Sequence, residues 1–442
     1  MNAKKHQVLT LSVLFSLIFL VIPLIFNPDT VTASSRQPPI SQNEINISAK
    51  SAIAVDATSG QIIYDKNAKQ QLPIASLSKL ITTYIVLNQI QAKKISWDSK
   101  VQISPKVANL SQGSDFTNVP LQAGKSYTVK QLYDASLICS ANAAAMALGE
   151  YLAGPNHDFG KMMSQEVNKL GIKNARLYNA CGLSNSDLGA LKDPNLKDNA
   201  ENTMSAEGLA QLSQKLITNH PEILKTTSMT SLKWDGKVYK NTNLLLGQTH
   251  PFKIDGLKTG TSDTAGENFV GTGTSNHDRI ITVVLGAPRD QRFTQTQLML
   301  NQISQNLFPT TIGANVLPTK TVNVVNGVHK TTKIGPTSPK TYWLPQGEKV
   351  KTDFVSNTNS KIFKTPLAPI IKGEKVGTVN IKAGSDELDL LPGSETSVPV
   401  VYKVANPVNV MKMIMGALEL LVILLLLIYL IFQIRKFNLR RH

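Results

Sequence analysis

The stretch Pro73-Ile74-Ala75-Ser76-Leu77-Ser78-Lys79 leads into an apolar segment that continues to Asn88. The pattern predicts a helix over residues 76–88. Residues three apart on a helix share a face, so the Ser76 hydroxyl would lie within hydrogen-bond reach of the Lys79 amine. A serine hydroxyl becomes a nucleophile when a neighbouring base takes its proton. Lys79 is such a base if burial and nearby positive charge, such as that of Lys258, lower its pKa.

Two further strings, Ser140-Ala141-Asn142 and Lys258-Thr259-Gly260, complete a recognisable set. S-x-x-K and K-T-G each occur once in the chain, whereas S-x-N also occurs at residues 41–43 and 304–306. In this order the three strings are typical of the penicillin-interacting serine enzymes. Taken alone, the first string is equally well an exposed helix start with a solvated Lys79, and the other two strings favour the catalytic interpretation.

Longer stretches resemble the D-alanyl-D-alanine carboxypeptidases, which are low-molecular-mass penicillin-binding proteins. The resemblance spans residues 45–405 and is carried by residues 73–76, 132–145, 178–183, 204–212, 220–222, 241–245 and 255–266. It implies an enzyme that removes the terminal D-alanine from peptidoglycan stem pentapeptides through an acyl-enzyme on Ser76, and it implies that penicillins acylate the same serine. Members often carry Asp where this chain has Ala143, and His or Phe where it has Thr261.

Each motif side chain has a chemical role that fits this reaction. The Ser140 hydroxyl can relay a proton to the leaving amine, although it can also cap the following helix. Asn142 can hold both the lysine and the substrate peptide group. Lys258 and Thr259 can bind a terminal carboxylate, and Gly260 lets an extended peptide approach the backbone. The predicted site comprises catalytic Ser76, Lys79 and Ser140 and substrate-binding Asn142, Lys258, Thr259, Gly260 and Thr261. For the oxyanion, the resemblance implies the backbone N–H groups of Ser76 and Thr261.

The predicted elements indicate an α+β fold, and the resemblance implies a penicillin-binding or β-lactamase-like catalytic domain in residues 34–310. A hairpin is predicted for residues 52–55 and 61–64, and strands for residues 256–261, 268–273 and 279–286. Helices are predicted over residues 76–88, 129–138, 142–152, 159–170 and 205–218. Residues 311–407 alternate short Val-, Thr- and Lys-rich runs with Gly, Pro and Asn, which predicts a smaller all-β domain that acts as a spacer or docking module.

Both ends of the chain predict a connection with a membrane. Lys4 and Lys5, a 19-residue apolar run at 8–26 and the small-residue site Val31-Thr32-Ala33 indicate a secretory signal in residues 1–33, or an uncleaved anchor. A transmembrane helix is predicted within residues 408–434, and a basic cytoplasmic tail follows at 435–442, which places the catalytic domain on the cell-wall side. Glu419 leaves open an amphipathic helix that lies at the membrane surface.

The charge of the chain limits the class of partner. Removing residues 1–33 (net +1) and 413–442 (net +3) from the total of +16 leaves +12 on the exported part. Outside a membrane the polyanions within reach are wall polymers and lipid headgroups, so nucleic acid is not a predicted partner. Neither a metal nor a cofactor is predicted, because the two cysteines and seven histidines show no ligand spacing. The predicted partners are the stem peptide, β-lactam antibiotics and membrane lipid.

Several alternatives stay open at this stage. Cys139 is a reactive thiol, a partner for Cys181 or, most simply, a small buried residue. A D,D-endopeptidase or a β-lactamase would use related chemistry, but the Glu-x-x-Leu-Asn string of a class A β-lactamase is absent from the sequence. A non-catalytic envelope scaffold that binds wall polymer through its basic surface is the alternative from a different functional class.

Overall fold

The structure is a computed structural model that describes residues 38–41, 44–113, 116–154, 158–312, 317, 319–337, 339–356, 365–383, 386–395 and 397–439. The predicted signal segment, residues 1–33, and the last three residues of the basic tail lie outside the described residues. All the described residues belong to one compact unit that begins at Arg36.

Before residue 310 the described residues contain a helical cluster and an antiparallel sheet. The helices are α1 Ser78–Gln91, α2 Pro105–Gln112, α3 Val129–Ile138, α4 Asn142–Ala153, α5 Phe159–Lys169, α6 Ala206–Asn219, α7 Ile223–Thr227 and α8 Arg292–Asn306, with 3-10 turns at Ala75–Leu77 and Ser186–Leu191. The strands are β1 Ser51–Asp56, β2 Ile62–Lys66, β3 Leu72–Pro73, β4 Lys100–Gln102, β5 Ser126–Thr128, β6 Thr203–Met204, β7 Ser231–Trp234, β8 Lys237–Lys240, β9 Lys253–Ser262, β10 Gly266–Ser275 and β11 Asp278–Ala287. The predicted elements are confirmed to within a few residues, except that Ser76 lies in a 3-10 turn just before α1.

The main sheet has the strand order β2-β1-β11-β10-β9, with all neighbours antiparallel. Alternate residues of β1 enter different cores. Ile53 and Val55 pack with the helical cluster, whereas Ala52 and Ala54 pack in a second core with residues of α8. The sheet is therefore covered on both faces, which explains why β1 is continuously apolar rather than alternating. The K-T-G string lies on β9, at the edge of the sheet, as predicted.

Helix α1 runs through the middle of the helical cluster. Its residues from Ser78 to Leu87 are all buried, so the helix has no solvent-facing side over its first ten residues. A helix buried all round is a rigid element, because every side chain contacts neighbouring elements. This position, rather than an amphipathic surface, holds Lys79 away from water.

The β-rich part begins where β12 follows α8. Its strands are β12 Leu307–Ile312, β13 Lys320–Asn323, β14 Thr331–Pro336, β15 Lys340–Pro345, β16 Val350–Ser356, β17 Lys375–Ala383, β18 Asp386–Glu387 and β19 Ser397–Tyr402. One sheet has the order β13-β14-β19-β17-β16, with β18 on β17, and β12 pairs with β15. Val379, Ile381, Val398 and Val400 form its small core with Tyr342. The described residues between 307 and 409 contain strands and no helix, as the sequence predicted.

A long helix, α9 Val410–Leu439, ends the described chain. The most apolar 18-residue window within Val410–Lys436 has a mean hydropathy of 2.8, and none of its side chains is buried. By length and composition this helix is able to cross a membrane.

Candidate active site

The Ser76 turn is held in an unusual backbone conformation. Ala75 has φ +47°, and the Ser78 hydroxyl donates a hydrogen bond to the Ala75 carbonyl at 2.7 Å. Positive φ is costly for alanine, so the surrounding structure must impose it. Gly182 packs against this turn so closely that a Cβ there would lie 1.9 Å from the Ala75 oxygen. Ser76 itself stays partly exposed, as a group that meets a substrate must.

Lys79 is the buried group at the centre of the site. Its Nζ lies 2.8 Å from each of three acceptors: the Ser76 Oγ, the Asn142 Oδ1 and the Cys181 carbonyl oxygen. The side chain is fully buried. Burial lowers the pKa of Lys79 to about 8. A measurable fraction of Lys79 is therefore neutral near pH 7, and the neutral amine can accept the Ser76 proton.

The S-x-N string borders the same pocket. Ser140 has φ +62° and is buried, and Asn142 begins α4 with its amide oxygen on Lys79. The predicted helix-capping alternative for Ser140 is wrong, because α4 is preceded by Ala141 and has no side-chain cap. The positive charges of Lys258 and Lys79 both act on Cys139, the residue just before this string, and both lower its pKa, although burial outweighs them.

The K-T-G strand lies against the Ser76 turn. A Cβ on Gly260 would lie 2.8 Å from the Ile74 oxygen and 3.2 Å from the Ser76 nitrogen, so only glycine allows β9 to come this close. The Thr259 hydroxyl donates to Thr242 Oγ1 at 2.7 Å. The backbone of the strand at Gly260 thus lies directly beside the nucleophile turn.

Lys258 is as deeply buried as Lys79, and its Nζ donates to the Thr259 carbonyl at 2.9 Å. Burial first, and then the charges of Lys79 and Arg292, hold the pKa of Lys258 well below its usual value. The sequence predicted that burial and the charge of Lys258 would together lower the pKa of Lys79. The part about burial is confirmed, whereas the repulsion between the two ammonium groups lowers the pKa of Lys258 rather than that of Lys79.

Arg292, the first residue of α8, joins the site although the sequence analysis missed it. Its Nη2 donates to Thr261 Oγ1 at 2.6 Å, and its Nη1 donates to the Gly260 carbonyl at 3.0 Å. Glu267 holds the guanidinium in an ion pair of 2.9 Å. Burial alone would raise the pKa of Glu267, but the hydrogen bonds from Arg292 and the backbone keep it below its usual value. The guanidinium, paired with Glu267, therefore contacts the K-T-G strand at Gly260 and Thr261.

Asn202 connects the Ser76 turn to the loop that supplies the Cys181 carbonyl. Its Nδ2 donates to the Ser78 hydroxyl and to the Asn179 carbonyl, both at 2.8 Å. Asn179 in turn accepts from the Cys181 and Gly182 backbone N–H groups through its side chain. One buried amide thus fixes both the nucleophile turn and an acceptor of Lys79. Nothing in the spacing of Asn202 distinguished it in the sequence.

Cys139 and Cys181 are both free and buried. Burial raises the pKa of Cys139 to about 11, so its reactive thiolate is disfavoured at neutral pH. The proposed pairing of the two cysteines is wrong, and their role as small buried residues is confirmed.

The comparisons with known proteins agree with this geometry. The family model described as D-alanyl-D-alanine carboxypeptidase matches residues 34–289. The D-alanyl-D-alanine carboxypeptidase DacF of Bacillus subtilis (strain 168) is 26% identical over 410 residues, which are 91% of this chain and 97% of that protein.

Two solved structures resemble the fold. The first is a peptidoglycan synthesis regulatory factor, PBP3 of Streptococcus pneumoniae, with a TM-score of 0.71, 32% identity and coverage of 82% of this chain and 100% of that one. The second is penicillin-binding protein D2 of Listeria monocytogenes, solved in a cefotaxime-bound form, with a TM-score of 0.50, 34% identity and coverage of 59% of this chain and 98% of that one.

Proposed function

Because the chain belongs to the D-alanyl-D-alanine carboxypeptidase family, we propose that it removes the terminal D-alanine from peptidoglycan stem pentapeptides through an acyl-enzyme on Ser76. Family membership establishes a serine-type carboxypeptidase. The assignment of individual residues is carried by one observation, the buried Lys79 amine at 2.8 Å from the Ser76 hydroxyl.

In the acylation step Ser76 Oγ attacks the carbonyl carbon of the penultimate D-alanine while Lys79 takes the hydroxyl proton. Backbone N–H groups of Ser76 and Thr261 stabilise the oxyanion, an interaction worth about 2.7–4 kcal/mol per donor in the transition state. The peptide C–N bond then breaks, and the proton that Lys79 took from Ser76 passes by way of the Ser140 hydroxyl to the leaving amine. Water then attacks the ester carbonyl; its hydroxyl oxygen bonds to the acyl carbon, the ester bond breaks, and the proton that the water gives up goes to Ser76 Oγ. Asn142 keeps Lys79 in place throughout.

The free carboxylate of the substrate determines which end of the peptide the enzyme binds and cleaves. Lys258 and Thr259 would bind it from the edge strand, with Arg292 adding positive charge through Thr261. A bound carboxylate also favours the charged form of Lys258, which burial disfavours in the free enzyme. A β-lactam carries a carboxylate of its own and a strained amide, so it would bind in the same way and acylate Ser76. This is in keeping with the cefotaxime-bound form of the Listeria protein.

The organisation of the chain follows from the same proposal. Residues 34–310 form the catalytic domain, residues 311–407 form the β-rich domain, and a transmembrane helix lies within residues 408–434. Residues 1–33 form the signal peptide and residues 435–442 the cytoplasmic tail, which leaves the catalytic domain on the cell-wall side of the membrane. Two features support this orientation: the apolar α9 and the basic Arg435 and Lys436 at its end.

The test is mass spectrometry of the full chain after incubation with penicillin and, separately, with a peptide ending in D-alanyl-D-alanine. We expect a penicilloyl adduct on Ser76 and release of D-alanine, both lost in Ser76→Ala. Ser304→Ala is the control, because Ser304 is a partly exposed serine of α8 that belongs to no S-x-x-K string. Release of D-alanine by Ser76→Ala would overturn the assignment of the nucleophile. A wild-type chain with neither adduct nor release would favour the non-catalytic scaffold.

A further inference from the structure

Two segments of the β-rich domain are joined by backbone hydrogen bonds to the chain just before α9. Val328 N–H donates to the Pro407 carbonyl, and Asn409 N–H donates to the Asn326 carbonyl. Ile370 and Asn406 exchange both of their backbone hydrogen bonds. We call residues 325–330, 366–375 and 402–409 the juxtamembrane face.

Asn406 is the buried centre of the juxtamembrane face. Its side chain accepts from the His329 N–H at 3.0 Å and donates to the His329 carbonyl at 2.8 Å. A Cβ on Gly327 would lie 2.6 Å from the Asn406 side-chain amide nitrogen, so the Gly327 backbone packs directly against the Asn406 side chain. The three segments therefore form a rigid surface at the start of α9 rather than a loose linker.

The juxtamembrane face exposes large apolar side chains. Val328, Leu367, Ile371 and Val404 have exposed fractions of 51%, 47%, 66% and 48%. Val404 lies within residues 402–409, and the other three lie on the two segments that are hydrogen-bonded to those residues. Exposed apolar side chains of this size on segments that are bonded to one another mark a surface that contacts a partner.

The same segments carry an excess of positive charge. The three segments contain one acidic residue, Glu374, and four lysines: Lys330, Lys372, Lys375 and Lys403. Lys412 follows in the first turn of α9. The Lys403 ammonium is already bonded to the Pro336 carbonyl, which leaves the other lysines to attract an anionic surface. Each lysine near such a surface adds to the attraction.

The position of α9 identifies the partner. Residues Val410–Lys436 reach about 40 Å at 1.5 Å per residue, which matches a bilayer including both headgroup layers. Val410 then lies in a headgroup layer, and Asn406 is at most about 14 Å of extended chain away from it. The juxtamembrane face is therefore within reach of the headgroups in every conformation that keeps its hydrogen bonds.

We propose that the juxtamembrane face is a second membrane-contact site, in which Leu367 and Ile371 enter the headgroup layer and the lysines bind anionic lipid. It rests on the membrane anchoring by α9 proposed above. Its consequence is that the β-rich domain is fixed upright on the bilayer at two points and does not swing about a single helix. The catalytic domain would thus be held at one height above the membrane.

The experiment uses the full chain in vesicles of phosphatidylglycerol and phosphatidylcholine with a nitroxide in the lipid headgroup. An environment-sensitive fluorophore is attached to Ile371→Cys or Leu367→Cys. The buried Cys139 and Cys181 give a low background, which is subtracted with the unmodified chain. We expect the emission at positions 371 and 367 to fall about twofold or more with the nitroxide lipid.

Two control positions keep the outcomes distinct. Val238→Cys, exposed on the β8 strand of the catalytic domain, should show no quenching. Leu424→Cys, in the middle of α9, should be quenched by a nitroxide on the acyl chain. Quenching at Leu424→Cys without quenching at positions 371 and 367 would overturn the second contact while leaving the anchor intact. Absence of quenching at all three positions would overturn the anchor itself.

The electrostatic part is tested with charge reversal. Lys372→Glu with Lys375→Glu should reduce the quenching at position 371, as should vesicles of phosphatidylcholine alone, whereas the exposed Lys237→Glu should not. Equal quenching in neutral and anionic vesicles would overturn the role of anionic lipid. Energy transfer between labelled copies at position 371, without lipid quenching, would show that a second copy covers the face and would also overturn the proposal.

Discussion

Lys79 is fully buried, yet all three of its acceptors are neutral: a hydroxyl, an amide oxygen and a backbone carbonyl. A carboxylate in any of these places would favour the ammonium form and raise the pKa. With neutral acceptors, desolvation dominates and the pKa falls to about 8. The pocket therefore orients the amine without stabilising its positive charge.

The first prediction concerns the pH dependence of acylation. The lysine must be neutral to accept the Ser76 proton, so kcat/KM for a fluorescent penicillin should rise about tenfold per pH unit below its pKa and level off above about 8. Stopped-flow measurements between pH 5.5 and 9.5 would show this rising limb of the pH profile of kcat/KM. In Asn142→Asp a carboxylate faces the amine, and the limb should move upward by about one pH unit or more. An identical limb in both proteins would contradict Lys79 as the base.

The second prediction concerns Lys258. Without its ammonium, binding of a peptide that ends in a free carboxylate should weaken, because a charge-assisted hydrogen bond worth about 1.5–3 kcal/mol is lost. We expect KM for such a peptide to rise about 10- to 100-fold in Lys258→Ala, with a smaller change in kcat. Lys253→Ala is the control, since Lys253 is exposed on the same strand. An unchanged KM in Lys258→Ala would remove the carboxylate role.

Between elements, the position of β9 against the Ser76 turn sets the width of the cleft. Asn268 on β10 donates to the Pro73 carbonyl at 3.0 Å and accepts from the Gly286 N–H at 2.8 Å. It therefore ties the nucleophile turn to the neighbouring strand of the same sheet. The missing Cβ of Gly260 then lets β9 complete the contact.

The third prediction follows from that contact. In Gly260→Ala the new methyl group would meet the Ile74 oxygen at 2.8 Å, so β9 or the Ser76 turn must move. We expect the penicillin acylation rate to fall about tenfold or more, with about 1–3 kcal/mol lost from the free energy of unfolding. Gly113→Ala is the control, because its φ is −62° and the nearest atom to its Cβ is 3.6 Å away. A normal acylation rate in Gly260→Ala would contradict this prediction and show that the reaction tolerates a wider spacing between β9 and the Ser76 turn.

The sequence predicted α1 and α3–α6, the edge strand and the motif residues, because apolar periodicity and side-chain chemistry are local signals. It missed α2, α7 and α8. Helix α8 has no capping side chain, and Thr or Asn occupies four of its 15 positions; with α8 the sequence also missed Arg292. The third acceptor of Lys79 is the backbone carbonyl of Cys181, and a backbone group leaves no mark on residue type. The positive φ of Ala75 and Ser140 arises from tertiary packing. The roles of the motif residues stay predictions.

In the whole molecule, the β-rich domain docks on the sheet edge away from the cleft. Gln61, beside the β1–β2 turn, exchanges two hydrogen bonds with the backbone of Trp343, at 2.9 and 2.7 Å. Leu391 N–H donates to the Gly60 carbonyl at 2.8 Å, close to the same turn. β1 and β9 are three strands apart, or about 14 Å. The contact can therefore fix the domain without entering the catalytic cleft.

The last prediction tests this contact through the buried Asp56. The Trp343 indole donates to Asp56 Oδ2 at 3.1 Å, and burial raises the pKa of Asp56 despite this and other hydrogen bonds. Trp343→Phe leaves a buried carboxylate short of a donor. We expect a loss of about 1–3 kcal/mol in urea unfolding of the detergent-solubilised chain at pH 7, with an unchanged rate of penicillin labelling.

The pH dependence gives this prediction its sign. A carboxyl with a raised folded-state pKa contributes stability below its unfolded pKa and loses it as the pH rises through the folded value. Losing the indole donor raises the folded-state pKa of Asp56 further. The loss of unfolding free energy in Trp343→Phe should therefore shrink as the pH falls and Asp56 becomes protonated. Trp234→Phe, whose indole donates to the neutral Pro120 carbonyl, should show a deficit that does not depend on Asp56. A pH-independent deficit in Trp343→Phe would mean that packing, and not the Asp56 carboxylate, holds the β-rich domain in place.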